Sequence, residues 1–129
     1  MAYLSLISPK GIAAGVLAFA GLVSIVFFAT NAFQSTLGVP VIFILWAFAW
    51  IAPGYVAARF SSTNSLLNST AAGVLVGVTA GAVLWLAIDQ TTDLPVSRLM
   101  LFFGCVWGAA VSFCLGGLLW VMTSRRRAD

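Results

Sequence analysis

The sequence predicts an all-α protein: an integral membrane bundle of four transmembrane helices. Three observations predict it. Hydrophobic residues make up 62% of the chain and charged residues only 7%, whereas a soluble domain needs about a quarter of its residues charged to cover its surface. The apolar residues fall into four runs, about 11–29, 40–58, 70–88 and 99–122, each long enough to cross a hydrocarbon core of about 30 Å. Every lysine and arginine lies at or beyond the end of a run, and none lies in the middle of one. All 129 residues therefore read as a single domain made of four spans.

The first span is introduced by Ser8-Pro9, an N-cap followed by proline at the first helical position. An apolar run this close to the start resembles the core of a signal peptide. It is longer than such a core and no A-x-A-like site follows it, so it reads as a span. Residues 30–38 are polar without a cation, a short loop. Pro40 opens the second span, which is aromatic: Phe43, Trp46, Phe48 and Trp50. Pro53 and Gly54 near its end predict a kink or the end of its regular part, because proline removes a backbone donor and clashes with the preceding turn. Arg59 closes the span. Residues 60–68 form the second loop, with Asn68 or Ser69 placed to cap span three. The third loop covers 89–97, and span four leads into the tail Ser124-Arg125-Arg126-Arg127-Ala128-Asp129.

The cations set the expected orientation. With the N-terminus inside, Lys10, Arg59, Arg125, Arg126 and Arg127 face the cytoplasm and Arg98 alone faces out, the positive-inside arrangement. These five are the expected topology and lipid-headgroup residues. The arginine triplet attracts anionic lipid by roughly 1 kcal/mol per cation. Asp89 and Asp93 fall on the outer side, where either can pair with Arg98. The expected location is a bacterial inner membrane, with both termini cytoplasmic. A net charge of +3 from scattered cations makes no basic stripe, so nucleic acid is not an expected partner.

Small residues recur at every fourth position. Span three carries Gly73, Gly77 and Gly81; span four carries Gly104, Gly108, Ser112 and Gly116; span one carries Gly11 and Gly15. Residues four apart share a helix face, and small ones let helix backbones approach where lipid supplies no hydrophobic drive for association. The expectation is that both ladders are used inside the bundle, the alternative being that one receives the aromatic ridge of span two and the other faces a partner. Leu in place of Gly77 or Gly108 should then disrupt assembly. The segment Ala13 to Leu17 also recurs as Ala71 to Leu75 (AAGVL). It reads either as a duplicated two-helix hairpin of the parallel-repeat kind or as a chance match in a chain rich in these residues.

Most chemistry is excluded by composition. Histidine and glutamate are absent, which removes the commonest metal ligand and proton shuttle and any paired-glutamate metal site. No ionisable group sits mid-span, the usual mark of an ion or proton pathway. Ser24, Thr79 and Ser112 remain, each able to bond its own helix backbone. Cys105 and Cys114 lie nine positions apart on one helix and on opposite faces, so they cannot join; they read as buried small hydrophobes. Without histidine or a mid-span lysine the serines lack a base. No enzyme and no cofactor are expected.

The segment Pro53-Gly54-Tyr55-Val56-Ala57-Ala58-Arg59, followed by a polar turn and Ala71 to Leu75, resembles a pattern in small uncharacterised bacterial four-span proteins. Those read G-G-Y-(V/A)-A-(A/G)-(R/Y) before a glycine-rich span, and Pro53 stands here where the first glycine is usual. The resemblance covers one short segment and implies a four-span fold but no activity. The expected function is that of a non-catalytic accessory or assembly subunit, with membrane lipid and other integral membrane subunits, or itself, as partners. The competing expectation is a homo-oligomeric channel or small-solute transporter, lined by Ser24, Thr79, Ser112 and the Pro53-Gly54 break.

Overall fold

The structure is a computed structural model that describes residues 7–33, 36–87 and 97–126. Four α-helices follow one another: α1 (Pro9–Ala32), α2 (Val39–Arg59), α3 (Ser65–Ala87) and α4 (Arg98–Arg125). The described residues contain no strand. All four helices are long and apolar enough to cross a membrane, as a multi-pass membrane protein requires.

Helix starts follow local chemistry. Ser8 is extended, its hydroxyl accepts from the Gly11 N–H, and Pro9 occupies a first-turn position that needs no donor. Ser97 starts α4 in the same way, accepting from the Met100 N–H at 3.3 Å. Two boundaries depart from the sequence reading for one physical reason. Helix α1 runs through Thr30 and Asn31, because the Thr30 hydroxyl donates to the Val26 carbonyl (2.8 Å) and the Asn31 amide to the Phe27 carbonyl (2.7 Å). Polar side chains satisfied on their own helix need no turn. Helix α3 starts at Ser65, and Asn64 takes the capping role by accepting from the Leu67 N–H at 3.1 Å. Asn68 and Ser69 are no caps; they are buried inside the helix.

Helix α2 continues through Pro53 to Arg59, so of the two expected outcomes the end of its regular part at the proline does not occur. Pro53, Gly54, Ala57 and Ala58 are all buried, so packing of the turns around the proline offsets its missing hydrogen bond. Such prolines are tolerated in apolar spans for this reason.

Helices α2 and α3 form the middle of the bundle. Each packs against the other and against both outer helices, whereas α1 and α4 hardly touch. They meet where the rings of Phe19 and Phe113 approach at 6.0 Å. The core is small-residue in character: Ala57, Ala72, Val76 and Ala109 are buried around Phe113, with Phe19 and Trp50 packed against them. Phe19 and Trp50 make an edge-on contact at 4.9 Å. Two other members of the aromatic ridge of α2, Phe43 and Phe48, do not enter a glycine ladder. They are 71% and 59% exposed, on the surface that lipid would cover.

This layout bears on the internal repeat. Gly15 faces the following helix at Ala57, and Gly73 faces its following helix at Ala109 and Phe113, so the two copies match locally. A two-fold relating the hairpins would map the α2–α3 contact onto an equal α4–α1 contact. The bundle departs from that symmetry, since α2 and α3 touch while α1 and α4 hardly meet.

Candidate functional site

No glycine among the described residues has positive φ, so glycine serves here for close approach rather than for backbone conformation. Gly73, Gly77 and Gly81 are buried along the α3–α4 contact. A methyl group at Gly73 would lie 2.7 Å from the Ala109 carbonyl oxygen, one at Gly77 2.6 Å from Val106 Cα, and one at Gly81 2.7 Å from the Phe102 ring. The α3 ladder thus receives α4 itself, not the aromatic ridge of α2.

The α4 ladder divides. Gly116 is buried against α2, with the Tyr55 nitrogen 2.6 Å from where a methyl would stand. Gly104 and Gly108 are exposed, and a methyl at either would meet nothing within 4 Å. With Ser112 and Cys105 they line an open groove of about 470 Å³ beside α2, walled by Trp50, Met100 and Leu101. Cys105 and Cys114 are free thiols and only half-buried, which corrects the expectation of full burial.

The polar residues expected to line one pore lie in different places. Ser24 and Thr79 share a groove of about 370 Å³ between α1 and α3. Each hydroxyl donates to its own helix, Ser24 to the Ala20 carbonyl at 2.8 Å and Thr79 to the Leu75 carbonyl at 2.9 Å. Ser112 opens into the α2–α4 groove instead. Pro53 and Gly54 are both buried, the Pro53 carbonyl facing Gly15 of α1 and Gly54 lying directly on the Phe113 backbone of α4. Within one chain these groups do not converge.

One end of the bundle carries Lys10, Arg59, Arg125 and Arg126, all exposed, while Arg98 starts α4 at the opposite end. Arg127, Asp89, Asp93 and the expected pairing of Arg98 with either aspartate lie outside the described residues. The same end holds a polar knot that sequence reasoning missed. Asn68 is fully buried, and its Oδ1 accepts from the Ser8 N–H at 2.7 Å. Its Nδ2 donates to Thr63 Oγ1 at 3.2 Å and to the Asn64 carbonyl at 2.8 Å. The Ser62 hydroxyl donates to the Ser8 hydroxyl at 3.4 Å. The knot ties the start of α1 to the α2–α3 turn, and no buried side-chain N or O among the described residues lacks a partner. The one sequence signal for it was an asparagine placed on the Ala72 and Val76 side of an apolar run.

The described residues hold no group of three or more His, Cys, Asp or Glu able to bind a metal ion. The described surface offers an open glycine stretch on α4, a hydroxyl-bearing groove between α1 and α3, and a basic rim. No family model, no curated protein and no solved structure matches this chain.

Proposed function

We propose that this chain is a non-catalytic accessory or assembly subunit of a bacterial inner membrane, with both termini cytoplasmic, that packs against another integral membrane protein. The observation that supports this reading is the open stretch at Gly104 and Gly108. The other ladder glycines are used inside the bundle, while these two leave one face of the N-terminal half of α4 open for close helix approach. The absence of histidine, glutamate and mid-span charge from the sequence supports a role without catalysis. The likeness of the Gly54–Arg59 segment to small bacterial four-span proteins belongs to the same reading.

Native mass spectrometry after mild-detergent extraction tests it. The wild-type chain is expected to carry an unrelated subunit at fixed stoichiometry. Gly108→Leu should lose that subunit while keeping wild-type helicity and melting. Gly77→Leu, which drives a side chain into Val106, should lose the fold itself. A Gly108→Leu chain that keeps its partner would sink the proposal.

A second reading is favoured by Ser24 and Thr79 sharing one groove. In a homo-oligomeric channel or small-solute transporter, copies of this groove facing a common axis would line a path with hydroxyls. Liposomes holding the purified chain should then pass a small uncharged solute. Thr79→Leu should cut the flux about tenfold, the scale of one hydroxyl hydrogen bond removed from a buried path. Flux that is unchanged in Thr79→Leu would exclude that path.

A further inference from the structure

A second groove between α2 and α4 lies toward the basic end and serves neither the accessory nor the channel role. Phe48, Ile51, Ala52, Tyr55 and Val56 of α2 and Leu119 of α4 line it, and its volume is about 360 Å³. From Phe48 to Val56 it runs about 12 Å along the helix axis, at 1.5 Å per residue. Its direction is that of an acyl chain in a bilayer, and its walls are apolar.

The sequence places charge at the head of this groove. The five α2 residues fall at i, i+3, i+4, i+7 and i+8, one stripe of the helix. The next position in the centre of that stripe is Arg59, four beyond Tyr55 and three beyond Val56. On α4 the residue two turns beyond Leu119, on the same face, is Arg126. The register of the two helices follows from their contacts: Gly116 sits against Tyr55, and the Tyr55 ring meets Trp120 edge-on at 5.3 Å. Both helices run toward the basic end, so with Tyr55 against Gly116 Arg59 stands level with Trp120, and Arg126 lies six residues, about 9 Å, farther out. Both arginines are exposed, and two long guanidinium side chains at that spacing can hold one phosphate between them. Arg125 points about 100° away around α4, and Lys10 belongs to α1.

We infer that this groove binds one anionic phospholipid, an acyl chain lying along α2 and the phosphate between Arg59 and Arg126. A zwitterionic headgroup fits less well, because it brings its own cation to a pair of arginines. The described part of this end holds no carboxylate to receive that cation. The inference rests on the chain lying in a membrane, not on the accessory or channel role.

Quenching by brominated lipid tests it with the full chain in bilayers. Trp120, whose ring meets that of the groove-lining Tyr55, is kept and the other tryptophans are changed to Phe. Brominated phosphatidylglycerol should quench with about fivefold or greater preference over brominated phosphatidylcholine. Arg59→Gln with Arg126→Gln should bring that preference to about one. Lys10→Gln with Arg125→Gln should leave most of it. Equal loss from both pairs, or no preference at the start, would overturn the site and leave only diffuse attraction to a basic rim. Should the tryptophan changes unfold the chain, native mass spectrometry of the chain with its own tryptophans reads the same point. One phosphatidylglycerol should survive detergent exchange in wild type and be lost in the Arg59/Arg126 variant; its retention there would overturn the proposal.

Discussion

Gly54→Ala is expected to destabilise the bundle by about 3 kcal/mol or more, the upper range for overpacking a filled core. At this position α2 rests directly on α4. A methyl there would fall 2.6 Å from Phe113 Cα and 2.7 Å from its carbonyl carbon. Backbone atoms cannot rotate away as a flexible side chain can, so relief requires moving one helix off the other. That movement would also disturb Phe113, the largest fully buried side chain, and with it the packing against Phe19. Gly21→Ala is the control: nothing stands within 4 Å of its new methyl, so it should unfold like wild type. Titration with a denaturing detergent, followed by circular dichroism, reads both. A Gly54→Ala midpoint indistinguishable from that of Gly21→Ala would show that the two helices are not in close contact.

Asn68→Leu should cost about 2–3 kcal/mol, the penalty for leaving buried polar groups unpaired. Leucine keeps the branched shape and suits an apolar helix, but its methyl groups need more room than the hydrogen-bonded oxygen and nitrogen they replace, which adds to the cost. What disappears is the acceptor for the N–H of Ser8, a residue only 3% exposed whose nitrogen lies 2.7 Å from Asn68 Oδ1. The start of α1 would then lose its tie to the α2–α3 turn. Amide hydrogen exchange should accelerate at Ser8 and through the first turn of α1, more than in the centre of α4. Ser62→Ala should cost less than about 1 kcal/mol, since it removes only the hydroxyl's long bond to Ser8 Oγ at 3.4 Å and keeps the backbone N–H bond at 3.5 Å. An Asn68→Leu chain with unchanged exchange at Ser8 would show that the knot does not hold α1 in place.

Four apolar helices and their order were legible from composition and run length. Hydrophobic density alone sets which segments can cross lipid. The same density hid the rest. In water, a helix announces its buried side by a polar face opposite it. Here Phe43 on the lipid side and Val76 in the core are chemically alike, so no asymmetry marks which stripe faces which neighbour. Small-residue spacing identified Gly73, Gly77 and Gly81 as a close-packing face but could not name α4 as the helix that fills it. Nor could it tell that Gly116 is used inside while Gly104 and Gly108 stay open. Ends were misjudged where Thr30, Asn31 and Asn68 could satisfy themselves on helix carbonyls, because the sequence does not reveal whether a polar side chain bonds its own helix or leaves it. Partition between water and lipid depends on each segment alone, and so can be read from a single chain. Helix pairing depends on backbone distances between segments, which arise only once α2 and α3 meet in the middle of the bundle.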